Sequence, residues 1–276
     1  LLNIINIINM EDLNEYYLRI RTIQTSAIRV LVEALKEILT DTNIIFDDTG
    51  IKIITTDSTK TVLIHMKLDK EKFEEYHCDK KMICGISMIN LHKLIKTISN
   101  TDTLTLFIKK NNTNRLGIRI NNVEKKTQTT YELNLLDIPD DGLQIPPVEF
   151  DTELSFPSSD FQKIIRDMIN IGDIIEIESQ PKKILKLTCS GDFATQETLL
   201  RESDNDNENC IVFNNNRDEL IQGRFSLKYL ILFTKCTNLC QQIQMYIKND
   251  YPLIIQYSVA SLGSIKLCLA PNVVES

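Results

Sequence analysis

Four pairs of cations recur at helical spacing: Arg29 and Lys36, Lys93 and Lys96, Lys163 and Arg166, Lys228 and Lys235. Separations of three or seven residues place both members of a pair on nearly one side of an α-helix. Lys and Arg without interleaved aromatics suit contacts to phosphate oxygens, which position a duplex but read no bases. For a single helix, a solvated basic face is explanation enough. Four helices sharing the feature, while the acids gather in turns, strand edges and a linker, favour a common anionic ligand.

The elements that must carry these cations come in two similar sets. Ile28, Leu31, Val32, Leu35 and Ile38 form one apolar helix stripe, and adding 133 gives Phe161, Ile164, Ile165, Met168 and Ile171. At offset 134, Ile51-Lys52-Ile53 answers to Leu185-Lys186-Leu187. At offset 139, Ser87, Leu91, Leu94 and Lys96 answer to Ser226, Leu230, Phe233 and Lys235, and the run 104–108 answers to 243–247. Preserved order with drifting offsets is what loop insertions in a duplicated domain of roughly 130 residues produce. Each copy reads helix, strands, helix, strands. The apolar period predicts helices over Thr25–Thr40 and Ser87–Ser99, with Ser87 as an N-cap, and a third helix after the capping residues Ser158-Ser159-Asp160. Strands are expected at Asn43–Thr56 and Thr61–Leu68, the first run broken by an Asp47-Asp48-Thr49-Gly50 hairpin turn, and near 103–109, 115–121 and 127–135. Residues 1–18 read as an extension outside the fold, 19–135 as the first domain and 148–276 as the second. Three prolines, a glycine and three acids make 136–147 a connector, and Asp204–Glu208 reads as a polar loop. Short turns between abundant strands imply largely antiparallel sheets, so the fold class is α+β, with two helices covering sheet in each copy.

Catalytic signatures are missing from the sequence. No HExxH, GxSxG, Walker loop or GxGxxG occurs among its eight glycines, and His65, His77 and His92 are scattered. Cys236 and Cys240 lie one helical turn apart without a second ligand pair, so a zinc site is disfavoured. Asp47-Asp48 and Asp57-Ser58-Thr59 read as turn residues. The chain is therefore not expected to be an enzyme or to hold a cofactor or metal. Seven cysteines with no CxxC pair suit a reducing compartment. The apolar start Leu1 to Met10 is short, interrupted by asparagine and without a basic flank, so neither a signal peptide nor a membrane anchor is expected. The net charge of −7 opposes nucleic-acid binding only when its distribution is ignored.

Several segments resemble the sliding-clamp family, of the proliferating cell nuclear antigen type. They are Val32-Glu33-Ala34-Leu35-Lys36, Phe161-Gln162-Lys163-Ile164-Ile165-Arg166-Asp167-Met168 with Ile171-Gly172-Asp173, Leu227-Lys228-Tyr229-Leu230 with Phe233-Thr234-Lys235, and Pro252-Leu253-Ile254-Ile255-Gln256-Tyr257 with Leu262-Gly263 and Leu269-Ala270-Pro271. The resemblance runs in order from about residue 22 to 272. It implies a DNA-clamp fold that closes as a homotrimeric ring, twelve helices lining a hole and β-sheet outside. The positions matching the family's channel cations are Arg29, Lys36, Lys93, Lys96, Lys163, Arg166 and Lys235; Lys228 joins them from the helix pattern alone. Val30 and Asn170 stand where relatives often carry a further cation.

The resemblance also implies sequence-independent binding of double-stranded DNA, processivity for a DNA polymerase, and docking of a clamp loader and of replication and repair proteins through short peptides. Positions matching the peptide pocket are Thr61, Val62, Leu63, Leu143, Ile145, Pro252, Ala270 and Pro271, and Thr56 and Cys268 stand where relatives have larger residues. From the residues alone, ordinary strand and linker packing is the preferred account of these positions. Ring closure would pair the edges Thr127–Leu133 and Thr195–Arg201, using Thr129, Tyr131, Leu133, Thr198 and Leu200. The implied location is the nucleus, or a viral replication compartment in the cytoplasm, with no membrane partner. The alternatives are a subunit of a heterotrimeric checkpoint-type clamp and a monomeric DNA-binding processivity factor.

Overall fold

The computed structural model describes residues 13–57, 59–140, 142, 143, 145, 148–202, 210–216 and 219–272. They divide into two compact units, one drawn from Leu1–Thr55, Met66–Gly142 and Val259–Gly263, the other from Thr56–His65, Leu143–Ser258 and Ser264–Ser276. The expected loop Asp204–Glu208 and most of the expected extension lie outside the described residues.

The first half of the chain contains β1 (Tyr16–Thr22), α1 (Thr25–Ile38), β2 (Asp41–Asp47), β3 (Gly50–Thr56), β4 (Val62–Asp69), β5 (Glu75–Cys78), β6 (Met82–Ser87), α2 (Met88–Ile95), β7 (Asp102–Lys109), β8 (Asn112–Asn122) and β9 (Thr127–Asn134). Its strands run in the orders β5-β1-β7-β8-β9 and β4-β3-β2-β6. The second half contains β10 (Thr152–Pro157), α3 (Ser158–Met168), β11 (Ile174–Gln180), β12 (Ile184–Ser190), β13 (Thr195–Arg201), β14 (Val212–Asn216), β15 (Ile221–Ser226), α4 (Leu227–Phe233), a 3-10 segment Thr234–Leu239, β16 (Gln242–Ile247), β17 (Leu253–Val259) and β18 (Gly263–Leu269). Here the orders are β14-β10-β16-β17-β18 and β13-β12-β11-β15. Element by element, the second half repeats the first.

The duplication extends to single hydrogen bonds. The Met88 amide that opens α2 donates to the Thr40 carbonyl at 2.9 Å, and the Leu227 amide that opens α4 donates to that of Asp173 at 2.8 Å. Within each unit the helices pack together and bury their stripes. Ile28, Leu31, Val32 and Leu35 lie over strand residues such as Phe46, Ile53 and Leu104 around an apolar cavity of about 50 Å³. Phe161, Ile165 and Met168 are equally buried in the second unit, where Phe161 meets Phe156 edge-on.

Local chemistry moves several boundaries. β1 begins at Tyr16 with Tyr16 and Leu18 buried, so the last residues of the expected extension belong to the fold. The hairpin turn narrows to Asp48-Thr49, because Asp47 already pairs with Gly50. Helix α1 ends at Ile38, where buried Leu39 turns extended toward β2. Ser87 occupies the N-cap of α2 without a side-chain cap bond. The expected cap Ser158-Ser159-Asp160 instead forms the first turn of α3 behind Pro157. The Ser158 hydroxyl is diverted to the Cys240 carbonyl at 2.6 Å.

Candidate nucleic-acid interface and partner site

The cations of the helices stand off the buried stripes, and most of them are exposed. Lys93 on α2, Lys163 and Arg166 on α3, and Lys228 on α4 are exposed; so are Lys96, at the C-cap of α2, and Lys235, in the 3-10 segment. Among the described residues none of these six makes an ion pair. The two cations of α1 differ: Lys36 is half-buried and pairs with Glu37 at 2.9 Å, and the Nε of half-buried Arg29 is enclosed without a hydrogen-bond partner. In the first unit the two helices bring their charges together. His92 on α2 has its pKa lowered by burial and then by the nearby Lys36 and Lys96, against the opposing pull of Glu33 and Glu37.

Lys235 corrects the expectation of one long fourth helix. The Thr234 hydroxyl donates to the Ile231 carbonyl at 2.8 Å and that of Thr237 to Thr234 at 2.7 Å. Such back-bonding competes with α-helical geometry, and the chain tightens to 3-10 winding. Lys228 and Lys235 are both exposed but on different helical forms.

The residues read as a peptide pocket all belong to the second unit. The Asp57 carboxylate shapes their loop by accepting the amides of Thr61 and Val62, each at 2.7 Å, and of Thr59 at 3.2 Å. Burial raises the Asp57 pKa, but hydrogen bonds from Thr59, Val62 and Thr61 outweigh it and lower the value overall. The turn role expected of Asp57 thus has a structural basis, and Tyr229, whose hydroxyl lies 3.1 Å from that of Thr59, is a contact with no signal in the sequence. The Ala270 amide donates to the Thr61 carbonyl at 2.9 Å, so the C-terminal tail lies against this loop. Thr61, Leu63, Pro252, Ala270 and Pro271 are half-buried, while Leu143 and Ile145 are 38% and 39% exposed. Val62 departs from the expected surface role: at 2% exposure its side chain is part of the core.

Both strands expected at the subunit interface end their sheets. β9 is the last strand beside β8, and β13 the last beside β12. Tyr131 and Leu133 stand opposite Ile118 and Leu116, and Thr198 and Leu200 opposite Leu187 and Leu185. The half-buried side chains of Tyr131, Leu133, Thr198 and Leu200 therefore continue the core face to an edge that no other described strand pairs with, an arrangement that invites a partner strand. Thr129 lies on the same face of β9 and is exposed.

Comparison with known proteins assigns this arrangement. The model of the proliferating cell nuclear antigen N-terminal domain matches residues 17–142, and that of its C-terminal domain matches 144–272. The chain belongs to the proliferating cell nuclear antigen family. It is 36% identical over 265 residues to the probable DNA polymerase sliding clamp 1 of Paramecium bursaria Chlorella virus 1, covering 95% of this chain and 99% of that protein. The paired α+β units are the DNA-clamp fold of this family, whose members act as processivity factors rather than catalysts. Among the described residues no group of three or more His, Cys, Asp or Glu is placed to hold a metal ion, and no helix is long and apolar enough to cross a membrane.

Proposed function

We propose that the chain is a sliding clamp that closes as a homotrimer around duplex DNA, confers processivity on a DNA polymerase and serves as a docking platform for replication and repair proteins. The observation that carries this reading is the set of six exposed cations, without an ion-pair partner among the described residues, on the helices of two units built alike. Contacts of that kind are weak, sequence-blind and screened by salt, so they hold a duplex without stopping translation along it. Lys36 and Arg29 act as minor members of the channel set, because one is neutralised by Glu37 and the other is partly enclosed.

In this reading β9 of one subunit pairs with β13 of the next through Thr129, Tyr131, Leu133, Thr198 and Leu200. Residues 136–147 form the interdomain connector. Thr61, Leu63, Leu143, Ile145, Pro252, Ala270 and Pro271 receive apolar and aromatic anchors of partner peptides, including those of the polymerase and the clamp loader. The site of action is the nucleus or a viral replication compartment. Light scattering coupled to size exclusion at micromolar concentration tests the assembly. A single species at three times 31.8 kDa is expected, and a clean monomer would exclude the homotrimer.

A further inference from the structure

The duplication sets matching rows of side chains on two sheets, and one of those rows lacks acceptors. In the first unit Leu104, Leu106 and Leu116 face the helices. By alternation Arg21, Thr105 and Arg119 lie on the opposite face, side by side across β1, β7 and β8. The matching row of the second unit is Ser155, Gln244 and Gln256 across β10, β16 and β17. That row is closed by neutral hydrogen bonds. The Gln244 amide donates to the Ser155 hydroxyl at 2.9 Å, and its carbonyl accepts the Asn214 side-chain amide at 3.2 Å.

The two arginines replace this network with charged donors. The acids nearest to them in the sheet are already engaged. Glu75, opposite Arg21 on β5, reaches along the sheet to Arg19 at 3.2 Å, and Glu132 pairs with Arg115 at 2.7 Å. Among the described residues neither Arg21 nor Arg119 has an ion-pair partner. The Arg119 guanidinium is held over the Phe107 ring, 5.1 Å from its centroid, and its Nε is enclosed without a hydrogen-bond partner. The ring itself lies against Gly117, where a Cβ would stand 2.2 Å from it. An enclosed donor left without an acceptor is destabilising until one is supplied.

The missing component is therefore an acceptor with negative charge. Two guanidinium groups about 10 Å apart at their backbones, two strand spacings, bring two positive charges and planar forks. These match a phosphate monoester of about −1.5 to −2 better than a single carboxylate. Small molecules need a concave site, and this sheet face offers beside Phe107 only a hollow of about 10 Å³. A duplex would lay its dense charge over Glu75 and Glu132 as well, on a chain of net charge −7. A single dianionic group carried on a protein surface meets neither obstacle.

We propose that Arg21 and Arg119 receive the phosphate of a phosphorylated serine or threonine on a partner protein. Recruitment of that partner would then depend on its phosphorylation. The site uses neither the channel cations nor the docking residues, so it stands or falls separately from the function proposed above.

Fluorescence anisotropy with the full-length chain at about 150 mM salt, where long-range attraction is screened, tests the proposal. The probes are a labelled, capped Gly-Ala-Ser-Ala-Gly peptide, the same peptide phosphorylated on its serine, and one with Glu in place of the serine. The phosphopeptide is expected to bind about tenfold tighter than the serine peptide, as for one charge-assisted hydrogen bond, and tighter than the Glu peptide. Arg21→Gln, at an exposed position, should remove most of that preference at an unchanged melting temperature. So should Arg21→Lys/Arg119→Lys, which keeps the charge but loses the forks. Replacement of Lys93, Lys96, Lys163 and Arg166 by Ala should leave the preference intact. Equal binding of the phosphorylated and unphosphorylated peptides, or a Glu peptide as tight as the phosphopeptide, would overturn the proposal. So would a preference that survives in either arginine variant, or one lost with the helix cations, which would assign the phosphate to the channel.

Discussion

Replacing Lys93, Lys96, Lys163 and Arg166 by Ala removes four of the six exposed helix cations while touching no buried group. If about four phosphates are neutralised at once, the unmodified clamp should bind duplex DNA with a slope of log K against log salt near −3.6. With a third of the exposed cations left, the slope should fall to about −1.2. Between 50 and 200 mM salt the unmodified clamp would then weaken on the order of 150-fold and the variant only about fivefold. Titration of a labelled duplex at several salt concentrations measures both slopes. Surface substitutions of this kind usually change stability by no more than about 0.5 kcal/mol, so the melting temperature and the oligomeric mass should hold. An unchanged slope in the variant, or loss of assembly with DNA binding intact, would refute the placement of these residues in a DNA channel.

Asn43→Ala removes both hydrogen bonds to the connector carbonyls, at about 1 kcal/mol each; faster proteolysis within 136–142 is expected with little change in global melting, and unchanged cleavage would count against a pinned connector. Asp47 tests the acid limb of stability. Burial raises its pKa, but the hydrogen bonds from Lys52 and Thr49 prevail and lower it from 3.8 to about 2. A depressed carboxylate stabilises the fold above its unfolded value and loses that contribution as pH falls from about 4 to about 2. Asp47→Asn should therefore be less stable at pH 7, by about 1 kcal/mol for a half-buried pair, and chemical denaturation should show the gap closing near pH 2.

Much of this fold is legible in the sequence, for definite physical reasons. The stripes of α1 and α3 obey a 3.6-residue period that only burial against sheet explains, and they fixed the offset that revealed the second copy. Six of the eight helix cations are exposed because a residue away from a buried stripe faces solvent; Arg29 and Lys36, at the flank of the α1 stripe, are half-buried. Boundaries set by tertiary hydrogen bonds were not readable. The Ser158 hydroxyl serves the Cys240 carbonyl rather than a helix cap, and Thr234 and Thr237 tighten the last helix. Val62 alternates with Leu63 along β4, and only the sheet decides which of them faces the core. Tyr16 and Leu18 were hidden beside an apolar, asparagine-rich stretch that carries no clear period.

The central claim is topological, and retention on DNA with controlled ends tests it most directly. The protein is threaded onto a linear duplex, both ends are then blocked by bulky protein caps, and the complex is washed at raised salt. A ring stays bound while both caps are in place and is lost once a restriction cut frees an end. Release at the same rate from blocked and cut DNA would mean that the chain grips a face of the duplex and does not encircle it.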